Sequence, residues 1–152
     1  MKKKVAVVHT SLVSIEKLKE LFSNILPDVK VYNIIDESLL DEVMQSNRVT
    51  PGIIFRIKNL FANAEALEVD AIVSQCSSMG EAVDIAKTTI STPILKIDQA
   101  MAEKAVDIGN KIAVVATVAS TLKPSCDLIR DVAEKKGKEV EIIESLVDGA
   151  LD

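Results

Sequence analysis

A chain of 152 residues can bury a substantial core, and 48% apolar residues with no Trp give that core the Val/Ile/Leu/Ala character of a layered α/β protein. A net charge of −5 argues against a nucleic-acid partner, which needs a basic surface, and Lys2-Lys3-Lys4 reads as a solvated N-terminus. No run is long enough to span a membrane, the apolar stretch after those lysines stops too early for a signal peptide, and two cysteines without a framework of pairs indicate a reducing cytoplasm.

Val5-Ala6-Val7-Val8 is a short apolar run, a buried first strand that ends in polar His9-Thr10-Ser11. Ile15, Leu18, Phe22 and Ile25 recur at helical spacing, and Pro27 closes that helix. Val29 to Ile35 is the second strand, followed by acidic Asp36-Glu37. Thr50-Pro51, an N-cap residue before proline at the first helical position, opens the second helix, with Ile53, Ile57, Leu60, Phe61 and Ala64 on its inner face. Ala71-Ile72-Val73-Ser74 is the third strand. It runs out at Cys76, and Ser78 with Glu81 reads as a capping box that starts a helix near Met79. Ala82, Val83 and Ala86 face inward from that helix.

Pro93 opens a short fourth strand, Ile94 to Ile97. Asp98 can cap the next helix, whose expected inner face is Met101, Ala105 and Ile108, and Gly109 is a C-terminal stop. Ile112 to Ala116 is the fifth strand. A long helix follows, in which Pro124 is tolerated near the first turn, and Gly137 marks its end. Glu139 to Ile143 is the sixth strand. This alternation predicts an α/β fold with a parallel sheet and helices on both faces, its ligand site at the carboxyl edge of the strands.

A thiol just upstream of a helix N-terminus faces unpaired backbone N–H groups and the positive end of the dipole, which favour the reactive thiolate. Cys76 therefore reads either as an acid/base or nucleophile, with polar Gln75, Ser77 and Ser78 around it, or as a small buried hydrophobe. Cys126 falls with Leu122, Ile129 and Ala133 on one helical face and reads as core. His9 is expected at an ordinary loop position. Hydroxyls recur at three strand exits: Thr10 and Ser11, Ser77 and Ser78, and Thr117 with Ser120 and Thr121. Each can be a helix cap, but together at one sheet edge they suit an anionic carboxylate. A C-x5-R phosphatase loop would need Arg where Ala82 stands, no glycine-rich dinucleotide loop follows the first strand, and a single His supports no metal site.

Gln75-Cys76-Ser77-Ser78 resembles the Cys-Asn-Thr/Ser type motif of the aspartate/glutamate/hydantoin racemase superfamily. The stretches Pro93 to Met101 and Lys111 to Thr121 are similar to that family's proline-led strand and hydroxyl-rich fifth-strand loop. The resemblance implies a flavodoxin-like half of a pseudo-symmetric fold, no cofactor, and cysteine acid/base chemistry at the carbon next to a carboxylate. It makes Cys76 the first-half acid/base and gives Ser77, Ser78, Thr117, Ser120 and Thr121, with Ser11, to the substrate carboxylate. Ser77 stands where many members have Asn, which leaves the substrate a small amino acid or a related acid. By the same resemblance, residues 1–108 form a first α/β unit and residues 109–152 the start of a second. The expected opposing cysteine is absent, so the chain reads as a truncated member or as one completed in a homodimer or larger oligomer. A lyase or isomerase with one catalytic cysteine, and a non-catalytic carboxylate-binding module, are the alternatives.

Overall fold

The computed structural model describes residues 2–147, 149 and 150. The elements run β1 (Lys4–His9), α1 (Ile15–Ile25), β2 (Lys30–Ile35), α2 (Ser38–Ser46), α3 (Pro51–Ala66), β3 (Ala71–Ser74), a 3-10 turn (Ser77–Met79), α4 (Gly80–Ala86), β4 (Ile94–Lys96), α5 (Gln99–Ile108), β5 (Lys111–Ala116), α6 (Ala119–Lys135) and β6 (Glu141–Leu146). All strand pairs are parallel. They form two sheets: a four-stranded one in the order β2-β1-β3-β4, and a two-stranded one of β5 and β6. The alternation of elements alone suggests one sheet; the break after β4 comes where α5 turns away to pack on α6.

The first core gathers Ala6 and Val8 of β1, Ile72 of β3, and the inner faces of α2, α3 and α4. Ile53, Ile57, Phe61 and Ala64 are buried on α3 as its spacing predicts, and Thr50 Oγ1 accepts from Ile53 N at 3.1 Å. Right-handed crossovers place α1 on the opposite face, since β1 to β2 runs in the opposite direction from β2 to β3. No residue of α1 is buried, and its Ile25 is 69% exposed. A second core joins Ala102 and Val106 of α5 to Val114 and to Cys126, Leu128, Ile129, Val132 and Ala133.

Several expectations are corrected. Helix α2 is unannounced by the Asp36-Glu37 stretch, yet Leu39 and Val43 bury one side of it in the first core. On α5 the buried stripe is Ala102 and Val106, while Met101 and Ile108 face solvent, because the partner is α6. The expected Asp98 cap makes no side-chain bond. Strand β6 starts at Glu141 rather than Glu139. Gly137, at φ +64°, closes α6 with a bond from Lys138 N to Ala133 O (2.9 Å), and the chain needs the following residues to return to pairing register at Lys111↔Glu141. His9 is not in a loop: it ends β1 opposite Ile35 and is fully buried.

Candidate active site

Strand β3 ends at Ser74, and the chain stays extended through Cys76 (φ −142°, ψ 115°) before tightening into the 3-10 turn. Extended backbone alternates its side chains, so Cys76 lies on the same side as Ile72 and Ser74. It is half-buried and packs against the first core. The Cys76 carbonyl accepts from Met79 N (3.2 Å), and Met79 itself is sealed in the core. The loop carrying the thiol is thus fixed from below by one backbone bond and one buried side chain. Both cysteines are free thiols.

The expected capping box does not form. Met79 is the N-cap of α4 and makes no side-chain cap bond. Ser78 Oγ instead lies 3.0 Å from Ser120 Oγ and 3.2 Å from Thr121 Oγ1, at the start of α6. The exits of β3 and β5, from different sheets, therefore meet here. Ser77 is half-buried beside Cys76, and Thr117 is exposed at the end of β5. Ser11 follows β1, the neighbour of β3, and its Oγ accepts from Val13 N at 3.3 Å.

His9 and Cys76 leave adjacent strands on opposite faces. Val7 and His9 point away from the core that holds Ala6, Val8 and Cys76, so the alternation separates imidazole from thiol. His9 Nε2 is bonded to Asn33 Oδ1 (2.8 Å), and its Nδ1 is buried without a partner. Cys126 is fully buried, and burial, followed by the nearby Glu144 carboxylate, pushes its thiol pKa up. Such a thiol holds its proton and stays unreactive.

A cavity of about 880 Å³ opens between α2, α4 and α6. Ser78 and Ser120 lie on its wall, but Cys76 does not. Its charges are mixed: Arg48, Lys96 and Lys123 stand among Glu81, Asp84, Asp127 and Asp131. Lys96, almost covered, is paired with Asp84 at 2.6 Å. Nothing in the sequence singles out Arg48 or Lys96 for this space, because only the fold brings the loop after α2 and the end of β4 together. The acid/base candidate lies at the strand exits, and the cavity adjoins that site only through the serines. Among the described residues no group of three His, Cys, Asp or Glu side chains could hold a metal ion, and no helix is long and apolar enough to cross a membrane.

The Asp/Glu/hydantoin racemase family model matches residues 7–147, a span that runs from β1 past β6 and includes every hydroxyl-bearing strand exit. The chain belongs to that family. Its fold is similar to that of glutamate racemase from Aquifex pyrophilus (TM-score 0.68, 20% identity), covering 91% of this chain and 54% of that one. It is also similar to Picrophilus torridus aspartate racemase (TM-score 0.65, 15% identity), covering 92% of this chain and 62% of that one. A third likeness is to glutamate racemase from Francisella tularensis in complex with D-glutamate (TM-score 0.67, 17% identity), covering 97% of this chain and 53% of that one. At these identities the likeness establishes the fold. The chain spans little more than half the length of these structures. No curated protein matches it.

Proposed function

We propose that this protein is a cofactor-independent, racemase-like isomerase that moves a proton at the carbon next to the carboxylate of a small amino acid or related acid, with Cys76 as the base. The observation that carries this reading is the position of Cys76: a half-buried free thiol at a strand exit, within a chain whose family match covers residues 7–147. In the proposed step the thiolate takes the α-proton and becomes a thiol. The electron pair of the broken C–H bond delocalises into the carboxylate as an enolate-like dianion. A proton delivered to the opposite face, by water or by an acid of a second subunit, completes the inversion. Hydroxyl and N–H donors aimed at the carboxylate lower the barrier by stabilising that charge. Ser11, Ser77 and Thr117 supply such hydroxyls, backed by Ser78, Ser120 and Thr121.

Cys126 is no candidate for the returning acid, since it lies in the second core. That favours, as a second reading, single-cysteine chemistry such as decarboxylation or a covalent isomerisation, which needs no opposed pair of bases. We further propose a cytoplasmic protein, working as a homodimer or larger assembly on a small carboxylate, with neither nucleic acid nor membrane as partner. The test is solvent-deuterium incorporation at the α-carbon of aspartate, glutamate and related acids, followed by NMR. Exchange that disappears in Cys76→Ala supports the isomerase. Exchange that persists in Cys76→Ala removes the thiol from the mechanism, and ligand binding without any exchange identifies a carboxylate-binding module instead.

A further inference from the structure

The hydroxyl cluster of Ser78, Ser120 and Thr121 occupies a special place in the connectivity of the molecule. Among the described residues, its two bonds are the only side-chain hydrogen bonds that join residues 2–98 to residues 99–147, and no ion pair crosses that boundary. Ser78 is 2% exposed, so its hydroxyl has no ready access to water and depends on these partners. None of the three hydroxyls is engaged in capping: α4 and α6 both begin without a side-chain cap bond. The 3-10 turn that carries Ser78 packs closely on α6, and Ser78 follows Cys76 by only one intervening residue.

We propose that Ser78 is a positioning residue, whose hydroxyl latches the Cys76 turn to the first turn of α6 and thereby sets the placement of the thiol against the Thr117 loop. This rests on the reading of Cys76 as the base only for its consequence in turnover; the latch itself is a property of the fold. A hydroxyl already bonded to two others is poorly placed to grip a substrate carboxylate as well. Its loss is then felt as misplacement of the catalytic group rather than as weakened binding. Ground-state affinity stays and the chemical step slows.

The test is a double-mutant cycle of Ser78→Ala against the paired change Ser120→Ala/Thr121→Ala in the full chain. Amide hydrogen exchange is followed in residues 77–80 and 119–122, with the rate of Cys76 alkylation by iodoacetamide as a second readout. Ser78→Ala should speed exchange about five-fold or more in both segments, the α6 variant should do the same, and the combination should add little further. Thr121→Ser, which keeps the hydroxyl, should restore slow exchange in a Ser120→Ala background. The α6 variant alters half-buried positions and remains informative if Ser78→Ala folds poorly. If exchange in residues 119–122 is unchanged by Ser78→Ala, or the two variants are additive, there is no latch. Where turnover is measurable, Ser78→Ala should lower kcat with KM within about two-fold of the parent. A raised KM at constant kcat would make Ser78 a substrate ligand and overturn the proposal. Failure to find any turnover would remove the isomerase reading while the exchange data still decide the latch.

Discussion

Met79 offers a direct measure of how firmly the Cys76 loop is held. Its side chain is 0% exposed within the first core, and its amide closes the turn onto the Cys76 carbonyl. Met79→Ala deletes the γ-carbon, the sulfur and the ε-methyl. At ~0.8 kcal/mol for each buried group, the lost transfer energy is ~2.4 kcal/mol. A residual void of roughly 30–60 Å³ adds about 0.7–1.4 kcal/mol at ~24 cal/mol per Å³. The expected loss is therefore about 3–4 kcal/mol, a large share of the roughly 5–15 kcal/mol by which a domain is stable. Urea unfolding measures it: with an m-value of about 2 kcal/mol/M, the midpoint falls by about 1.5–2 M at unchanged m. Met79→Leu nearly conserves volume and should cost under ~1.5 kcal/mol. Alkylation of Cys76 should accelerate in the Ala variant and stay near the parent rate in the Leu variant. A loss below about 1 kcal/mol for Met79→Ala would refute the reasoning, because the turn would then not be anchored by this side chain.

Three further outcomes are expected. In the native protein iodoacetamide should modify Cys76 alone, with Cys126 reacting only on unfolding, as read by intact mass; early modification of Cys126 would contradict its place in the second core. The same burial gives a sign to alkaline stability. The folded Cys126 pKa is raised, so its contribution is full below the thiol's ordinary value of about 8.5 and is lost as pH climbs towards the folded value. Cys126→Ala should flatten that alkaline decline in a melting-temperature profile. At the acid end, Glu65 accepts from Ser91 N, Thr92 N and Thr92 Oγ1, and the Thr92 amide bond leads in holding its pKa below the ordinary carboxylate value. Its stabilisation is present above about pH 4.3 and disappears as pH falls through the depressed value, so Glu65→Gln should lessen the loss of melting temperature on acidification. An identical acid slope in that variant would show the carboxylate to be uncoupled from folding.

The exposed apolar side chains bear on association. Val115 is 66% exposed on the outward face of the small sheet, where the register sets Ala113 beside Ile143. Leu95 on edge strand β4 is 52% exposed. Uncovered apolar strand surface of this kind favours association in solution.

Local sequence determined most of the elements and the placement of both cysteines. Thr50-Pro51 could only open a helix, and Ile53, Ile57, Phe61 and Ala64 could only bury one of its faces. Cys126 was legible as core from its spacing, and Cys76 as a strand-exit thiol from the end of the Ala71–Ser74 run. What periodicity leaves open is which of two adjacent stripes meets a partner. Met101-Ala105-Ile108 and Ala102-Val106 are neighbouring stripes on α5, and only the position of α6 selects the second. The same holds for the hydroxyls. Ser78 followed by Glu81 has the pattern of a capping box, and local bonding would satisfy both groups. Ser120 and Thr121 come from more than forty residues further along the chain to take the Ser78 hydroxyl instead. A hydrogen bond to a distant residue leaves no periodic trace in sequence, so the strand-exit thiol belongs to the sequence, whereas the link between the two sheets beside it was decided by tertiary structure alone.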